Sequence, residues 1–368
     1  MGSRAHLVQV PGANLDAHGL RALECMKVST MRTAELDYFL PPELIAQTPL
    51  PRGESRLLVL HRRNGTVEHR RFKDLPTYLA PGDTLVLNDT RVTARRIHAH
   101  TPLGAEVELL LLRPIGMTDW EALVRPGRKC RVGARLEAAN GVGKPVTLEV
   151  VGITETGGRI LRASDVSSRD ALAHAGTIPT PPYIHTRLED EERYQTVYAR
   201  EGGSAAAPTA GLHFTAAMLQ ELSQRGIRIV PITLHVGVDT FRPVKTPTLE
   251  AHAMHGEWYH ISNEAADAIN GSHGRIVAAG TTVVRALESA ATGTRCVRSG
   301  CAETRLFIMP GYQFRVVDAM LTNFHLPRST LLALVAAFAG REAVLAAYAE
   351  AVKARYRFYS FGDAMFIV

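Results

Sequence analysis

The sequence predicts an α/β mixed-sheet layer domain with a small all-β barrel domain inserted into it. Strand-like runs alternate with helical patterns in the first part of the chain and again in its C-terminal half, which is typical of α/β layers. Between about Arg95 and Ser164 the pattern changes to short apolar runs separated by turn signals, which suits a barrel or a sandwich. We expect a barrel of residues 93–164 that interrupts a discontinuous α/β domain of residues 31–92 and 165–368.

The first 30 residues are expected to lie outside this fold. They carry no apolar segment of signal-peptide length, and the regular pattern begins at Met31. We interpret residues 1–30 as an extension. After it, no apolar run reaches the roughly 18–20 residues of a membrane span, and the longest, Leu331–Gly340, is interpreted as a buried helix. No membrane association is expected.

The composition is that of an ordinary globular protein with a basic balance. Of the 368 residues, 46% are hydrophobic and 21% are charged, and the formal net charge is +6. A basic balance favours a polyanionic partner, although many basic proteins bind no nucleic acid. The four cysteines, Cys25, Cys130, Cys296 and Cys301, match neither a disulfide framework nor a zinc ligand set. We therefore expect a reducing, cytoplasmic compartment.

The N-terminal part of the α/β domain begins with a predicted hairpin. Arg56–His61 has the pattern of a strand, and the dipeptide Asn64-Gly65 is a strong turn signal. A second strand, Thr84–Leu87, runs into the polar stretch Asn88–Val92. Polar residues at the end of such a strand often contact a ligand in α/β proteins, and the alternative is a turn held by the Asn and Asp side chains.

Six short runs make up the predicted barrel. They are Arg96–His100, Ala105–Arg113, Trp120–Val124, Arg135–Ala138, Val146–Gly152 and Arg159–Arg162. The segments between them are rich in Gly and Pro, which is typical of tight connections between antiparallel strands.

Three strands of the C-terminal half each end in a cluster of polar residues. Ile227–Leu234 is followed by His235, and Pro231 within it indicates an edge strand or a bulge. Arg275–Ala279 is followed by Gly280-Thr281-Thr282 and a helix, and Ala319–Leu321 by residues 322–327. Ser329 is the expected start of the next helix, and a helix over residues 341–355 precedes a last strand over residues 364–368. We expect these polar clusters to line one shared cleft.

The segment Ala207–Phe214 is the expected centre of the site. It follows a run of Gly, Ser and Ala residues, which let a backbone approach a ligand closely. Thr215 is the expected N-cap of a helix that ends at Gly226. His213 lies just before that helix and titrates near neutral pH unless its surroundings perturb it. The alternative is a capped loop with a packed histidine.

The absence of several motifs narrows the chemistry. The sequence has no P-loop, no dinucleotide-binding G-x-G-x-x-G and no G-x-S-x-G nucleophile motif. His252, His255 and Glu257 could hold a metal, so a metal-dependent hydrolase is one alternative. A non-catalytic RNA-binding protein is another. Arg285 and Glu288, one helical turn apart, could form an exposed ion pair or belong to the site.

Ten stretches, in order along the chain from about Met31, resemble one family: S-adenosylmethionine:tRNA ribosyltransferase-isomerase, an enzyme of queuosine biosynthesis. They are NDTRV (88–92), PPYI (181–184), YQTVYA (194–199), SAAAPTAGLHFT (204–215), TLHVG (233–237), HAMHGE (252–257), GTTVVRALES (280–289), LFIMPGY (306–312), TNFHLPRSTL (322–331) and YRFYSFGDAM (356–365). A single one would be weak evidence, but the ordered set is highly specific.

The resemblance implies a β-barrel inserted into an α/β catalytic domain and a reaction with S-adenosylmethionine (AdoMet). AdoMet would donate its ribosyl moiety to the aminomethyl group of a 7-deazaguanine at the wobble position of tRNA. The products would be epoxyqueuosine-tRNA, adenine and methionine. AdoMet would be a consumed substrate, no metal or other cofactor is expected, and we expect a monomer whose partner is tRNA.

The expected site residues combine the motifs with this chemistry. For the acid–base steps we expect His213, His235, Asp89 and Arg91. For substrate binding we expect Thr209, Gly211, His252, His255, Glu257, Thr281, Thr282, Arg285, Glu288, Asn323, His325 and Asp363. Asp363, beside Gly362, could equally be a turn residue.

Two positions depart from the family pattern. Asp239 stands where the family usually has Gly, so we assign it no role. Phe361 stands where the family frequently has Tyr, so a hydroxyl contact is not expected there.

Overall fold

In the computed structural model, which describes residues 30–139, 145–155, 157–237, 240 and 243–368, a nine-stranded mixed sheet forms the centre of the α/β domain. The strands lie side by side in the order β17 (Gly300–Thr304), β13 (Glu257–Ile261), β12 (Arg228–Leu234), β3 (Thr84–Asn88), β14 (Ile276–Ala279), β18 (Ala319–Asn323), β19 (Ala364–Ile367), β1 (Arg56–His61) and β2 (Thr66–Arg71). The hairpin predicted at Asn64-Gly65 is confirmed, since β1 and β2 pair antiparallel and Gly65 has a φ of +71°.

Four neighbouring strands of the sheet, β12, β3, β14 and β18, run parallel to one another. Their last residues, Leu234, Asn88, Ala279 and Asn323, therefore lie at one edge, which we call the carboxyl edge. Strand β19 is antiparallel to β18, and β1 is parallel to β19, so both of these strands begin at the same edge. Six chain segments thus converge where ligands bind in open α/β sheets.

Helices cover both faces of the sheet. The described helices are α1 (Val166–Ala173), α2 (Ala216–Gln224), α3 (Asn263–Asn270), α4 (Thr281–Ala290), α5 (Thr330–Ala339) and α6 (Arg341–Lys353). Strand β1 shows the two layers, because Leu57 and Val59 pack in the core under α2 while Leu58 and Leu60 pack in the core under α3 to α6. Alternation of this kind follows from the two-residue period of a strand.

The predicted helix starts are confirmed. The Thr215 hydroxyl accepts a hydrogen bond from Met218 N at the start of α2, and the Ser329 hydroxyl accepts one from Leu332 N at the start of α5. An N-cap of this type stabilises a helix by about 1 kcal/mol. Gly226, just after α2, has a φ of +82°, a left-handed conformation that favours glycine.

Six strands form a closed antiparallel barrel, which confirms the predicted insert. They are arranged as β10 (Arg159–Ala163), β7 (Asp119–Arg125), β6 (Glu106–Ile115), β5 (Arg95–His100), β8 (Arg135–Ala138) and β9 (Val146–Ile153), with β9 pairing to β10. Apolar side chains such as Leu109, Trp120 and Leu148 fill the barrel. The domain limits at residues 92/93 and 164/165 stay a prediction.

Two small sheets complete the fold. Strand β4 (Thr90–Val92), which leads from β3 to the barrel, pairs in parallel with β11 (Glu201–Ser204). Strands β15 (Ala291–Gly293) and β16 (Cys296–Val297) form a short hairpin after α4.

Pro231 lies where β12 has a partner on one side only. The strand pairs with β3 over residues 228–232, but it pairs with β13 only at Thr233 and Leu234. The missing N–H of Pro231 therefore costs no hydrogen bond between strands, and at this position β12 is an edge strand, as predicted.

No single helix in the described part of the chain is long and apolar enough to cross a membrane. By length and composition α5 and α6 pass that test together, but they are bent by 113° at the break between them. The interpretation of the apolar run at residues 331–340 as a buried helix is confirmed by α5.

Candidate functional site

Two clefts open side by side at the carboxyl edge. With the open solvent at their mouths included, the larger has a volume of about 510 Å³ and the smaller of about 310 Å³. Of the predicted site residues, Thr209, Thr281, Thr282, Asn323 and His325 line the larger cleft and His213 lines the smaller one. Ser360 lines both, so the two clefts share a wall.

His213 is buried between the two clefts, with both ring nitrogens in hydrogen-bonding contact. Its Nδ1 lies 2.8 Å from Ser55 Oγ, and its Nε2 lies 3.2 Å from Asn323 Nδ2. The ring stacks on Phe72, with 5.0 Å between the ring centroids. An amide nitrogen can only donate, so Nε2 is the acceptor and the neutral ring carries its proton on Nδ1, which donates to Ser55.

The orientation of the Asn323 amide follows from its other partners. Its Nδ2 also donates to the carbonyl oxygen of Tyr359 over 3.1 Å, and its Oδ1 accepts from Thr209 Oγ1 over 3.4 Å. Tyr359 has a φ of +70°, which is uncommon for a non-glycine residue and costs on the order of 1–3 kcal/mol. This strained backbone points its carbonyl at the residue that binds His213.

The surroundings of His213 favour its neutral form. Burial, followed by the nearby Arg52 guanidinium, lowers the pKa of His213 to about 4. Arg52 holds the preceding loop in place, since it donates to the carbonyl oxygens of Leu212 (2.7 Å) and Gln195 (2.6 Å). At neutral pH His213 can therefore accept a proton but carries none to give from Nε2.

His325 is the histidine that lines the larger cleft. Its Nε2 lies 2.7 Å from Thr322 Oγ1, and Tyr348 Oη accepts a hydrogen bond from its backbone N–H. Burial lowers the pKa of His325 to about 3, so this ring is neutral as well. The larger cleft thus offers an uncharged imidazole, and it is lined by the hydroxyl-bearing side chains of Thr209, Thr281 and Thr282.

Asp89, Arg91 and His235 form hydrogen bonds away from His213. Asp89 accepts from Thr233 Oγ1 (2.7 Å) and from Arg200 (2.8 Å), and burial raises the pKa of its carboxyl. Arg91 forms an exposed ion pair with Glu192. His235 contacts Thr90 Oγ1 over 2.8 Å and stacks on Trp258. The structure therefore gives none of the three a hydrogen bond to His213 among the described residues.

The carboxylate of the possible metal motif is engaged by other partners. Glu257 forms a buried ion pair with Arg285 and accepts from Thr240 Oγ1 over 2.7 Å. His252 packs edge-to-face against Phe307. Its pKa is lowered by burial and by His255. In the part of the chain that the structure describes, no three His, Cys, Asp or Glu side chains are grouped so as to hold a metal ion.

The carboxylates of Glu288 and Asp363 accept hydrogen bonds from backbone N–H groups. Glu288 accepts from the N–H groups of residues 315, 316 and 317 over 2.9–3.1 Å, so it does not pair with Arg285 one turn away. Asp363 accepts from Arg56 N (2.7 Å) and Arg357 N (2.8 Å), which ties the start of β1 to the last turn of the chain. Both carboxylates are buried, and neither is among the residues that line the two clefts.

Gly211 and Phe361 are explained by packing. A Cβ at Gly211 would lie 2.0 Å from the Tyr198 hydroxyl, so only glycine lets the loop before His213 pass this side chain. Phe361 packs edge-to-face against Tyr194 at a centroid distance of 5.8 Å and lines the smaller cleft. Asp239 lies outside the described residues.

The sequence did not single out Ser55, Arg52, Thr322 or Tyr359 as site residues. Ser55 and Arg52 belong to a stretch rich in Pro and Gly with no chemical motif. Thr322 and Tyr359 lie inside stretches that resemble the family, but the sequence does not show which residues they contact. A serine just before β1 could have been noticed only once β1 was known to begin at the carboxyl edge.

Comparisons with known proteins agree with this architecture. The sequence model of the family described as "Queuosine biosynthesis protein" matches residues 33–367. The S-adenosylmethionine:tRNA ribosyltransferase-isomerases of Symbiobacterium thermophilum and Moorella thermoacetica are 53% and 52% identical, each over 92% of this chain and 100% of the relative. The crystal structure of S-adenosylmethionine tRNA ribosyltransferase from Thermotoga maritima is similar, with 39% identity and a TM-score of 0.52 over 91% of this chain and 100% of that one. The chain therefore belongs to the S-adenosylmethionine:tRNA ribosyltransferase-isomerase family of queuosine biosynthesis, a family of transferases.

Proposed function

We propose that this protein transfers and isomerises the ribosyl moiety of AdoMet onto the aminomethyl group of 7-aminomethyl-7-deazaguanine in tRNA. The products are epoxyqueuosine-tRNA, adenine, methionine and a proton. The observation that carries the proposal is the family match along nearly the whole chain, joined to a cleft lined by a neutral imidazole and hydroxyl groups. The relatives are named for AdoMet and tRNA, and we take these two as the substrates.

The two neutral histidines suit the first step of this reaction. The carbon next to a sulfonium is acidified, so a base that removes a C5′ proton of the ribose starts the loss of adenine. A neutral imidazole buried beside the cleft can act as that base, whereas a protonated one cannot. We assign the step to His213, with Asp89, Arg91 and His235 as polar groups of the wider site.

The remaining steps require proton donors and hydrogen-bond donors rather than a second base. The departing adenine must be protonated, and the opened sugar must be held by hydrogen bonds. Thr209 and Asn323 supply such groups in the larger cleft, and Thr281 and Thr282 lie at the start of α4 on the same wall. AdoMet is consumed as a substrate in this scheme, and no metal or other cofactor takes part.

tRNA is the macromolecular partner, and a basic protein suits it. The formal net charge is +6, and a 7-deazaguanine at the wobble position lies in a loop whose bases can be splayed out to an enzyme. We propose that the protein acts as a cytoplasmic monomer. The metal-dependent hydrolase finds no support, because Glu257 is engaged by Arg285 and the described residues contain no group of three His, Cys, Asp or Glu side chains placed to hold a metal ion.

The test is incubation of the purified protein with AdoMet and tRNA that carries the 7-aminomethyl-7-deazaguanine base. Release of adenine and methionine in equal amounts, with the ribosyl group on the tRNA, is expected. The same tRNA with guanine at that position is the control and should yield neither product. Binding of tRNA without release of adenine would instead identify a non-catalytic RNA-binding protein.

A further inference from the structure

Helix α4 begins at the wall of the larger cleft without a capping side chain. The backbone leaves β14 at Gly280, whose φ of +108° favours glycine and whose N–H donates to Leu321 O over 2.8 Å. No side chain among the described residues accepts a hydrogen bond from the first turn of this ten-residue helix. The N–H groups of that turn have no acceptor within the helix, so they carry partial positive charge toward the cleft.

The Thr282 hydroxyl in the same turn also lacks a partner. Only 7% of the residue is exposed, and its Oγ1 is buried without a hydrogen-bond partner in the described part of the protein. The oxygen lies 3.5 Å from the point that a Cβ on Gly280 would occupy, so it leans toward the start of the helix. Gly280, Thr281 and Thr282 all line the larger cleft. Buried hydroxyls normally have a partner, and a ligand in the larger cleft would supply one.

The charge of the cleft indicates the kind of ligand group. Its described lining residues include no Lys, Arg, Asp or Glu, and His325 is neutral. The start of α4 is then the main source of positive potential at this wall. By contrast, the starts of α2 and α5 are closed by the hydroxyls of Thr215 and Ser329. An anionic group that accepts hydrogen bonds from the backbone and from a hydroxyl fits the start of α4.

We propose that the start of α4 binds the carboxylate of the methionine moiety of AdoMet. Thr282 Oγ1 and the N–H groups of the first turn donate to the carboxylate oxygens. The inference rests on the proposed function, because it takes AdoMet as the ligand of this cleft. It adds the direction in which AdoMet lies, with its amino-acid end at α4.

The test compares AdoMet with decarboxylated AdoMet, which differs by the carboxylate alone. We expect Thr282→Val to weaken AdoMet binding about 10- to 100-fold, since a hydrogen bond to a charged group is lost, and to leave decarboxylated AdoMet unchanged. Thr282→Ser keeps the hydroxyl and should restore AdoMet binding to near that of the wild type. Thr292→Val makes the same chemical change at an exposed position beyond α4 and should change neither affinity.

Each other outcome has a definite meaning. Equal weakening of both ligands by Thr282→Val, or no weakening, overturns the carboxylate site. Weaker tRNA binding with unchanged AdoMet binding also overturns it and indicates that the turn binds a phosphate. A wild type that neither binds AdoMet nor releases adenine refutes the proposed function itself. Should Thr282→Val fail to fold, Thr282→Ala and the wild type keep the proposal testable: equal binding of both ligands by the wild type, or AdoMet binding by Thr282→Ala as tight as that of the wild type, would overturn it.

Discussion

Asn323 Nδ2 donates to His213 Nε2 across 3.2 Å, so it occupies the nitrogen that a catalytic base would use. The Nδ1 side of the ring is held by Ser55, and the ring is stacked on Phe72. His213 can therefore accept a proton from a substrate only if Asn323 turns its amide away when the ligand binds. Because Asn323 lines the larger cleft, a ligand in that cleft is positioned to compete for this amide.

The buried ion pair of Glu257 and Arg285 predicts a large loss of stability when one partner is removed. Both side chains are 4% exposed, so an unpaired charge left behind would have no access to water. Arg285→Met is expected to lower the free energy of unfolding by about 3–5 kcal/mol. Urea unfolding followed by circular dichroism measures this loss.

The control for that pair is an exposed one. Arg305 and Glu303 are 75% and 54% exposed, so Arg305→Met should cost at most about 1 kcal/mol. The double variant Arg285→Met with Glu257→Gln should recover part of the loss, because no buried charge remains. Equal effects of Arg285→Met and Arg305→Met would show that burial adds nothing to the pair.

The two buried histidines predict a loss of stability in mild acid. Burial lowers the pKa of His213 to about 4 and that of His325 to about 3, against about 6.5 in the unfolded chain. The unfolded chain therefore binds protons first, and stability present above pH ~6.5 is lost as the pH falls toward those lowered values. At about pH 5 each histidine should cost about 2 kcal/mol relative to neutral pH.

Urea midpoints at neutral pH and at about pH 5 test this dependence. His325→Gln should destabilise the protein at neutral pH but reduce the difference between the two midpoints. His98→Gln, on an exposed barrel position, should leave the difference as it is in the wild type. An unchanged pH dependence in His325→Gln would contradict the prediction.

The fold could be predicted from the sequence further than the site. Asn64-Gly65, Thr215 and Ser329 are local signals whose geometry is fixed within a few residues, and all three hold in the structure. The contacts of His213 are not local, since Ser55 is 158 residues away and Asn323 is 110 residues away. The order of the strands in the sheet brings these three residues together, and that order cannot be predicted from the spacing of residues in the sequence.

Arg285 and Glu288 show that a local spacing can also suggest a contact that does not form. Their spacing of one helical turn predicts a mutual ion pair, or a shared role in the site. Instead, Arg285 pairs with Glu257 on β13, and Glu288 accepts hydrogen bonds from the backbone of residues 315–317. A buried charge binds whichever partners surround it, and tertiary packing decides those partners.

Removal of metal ions is expected to leave the reaction unchanged. Glu257 is engaged by Arg285, and His252 packs against Phe307, so the H-x-x-H-x-E stretch gives no joint ligand set within the described residues. Protein treated with EDTA and then freed of it should release adenine at the rate of untreated protein. Loss of activity that added zinc restores would instead support the metal-dependent alternative.

Binding of tRNA is expected to weaken steeply as salt rises. Each phosphate that a Lys or Arg neutralises releases counterions, and the formal net charge of +6 favours several such contacts. For two to six contacts, affinity should fall about 10- to 1000-fold between about 50 and 200 mM salt. AdoMet binding, measured over the same range, is the control and should change far less. A tRNA affinity that stays constant would remove the electrostatic part of the proposed recognition.

The last prediction concerns the base itself. If His213 removes the ribose proton, His213→Ala should lower adenine release in a single turnover by about 10²–10⁴-fold. The affinities for AdoMet and tRNA should change far less, because proton transfer is felt mainly in the transition state. His235→Ala and Asp89→Asn, which alter groups bonded to Thr90 and Thr233, should have smaller effects on that step.

Two further variants separate His213 from its neighbours. Asn323→Ala removes the amide from Nε2 and should retain more activity than His213→Ala if freeing this nitrogen is part of the cycle. His325→Gln removes the imidazole that lines the larger cleft. If His213→Ala turns over at nearly the wild-type rate while a folded His325→Gln does not, His213 is a packed residue and His325 replaces it as the candidate base.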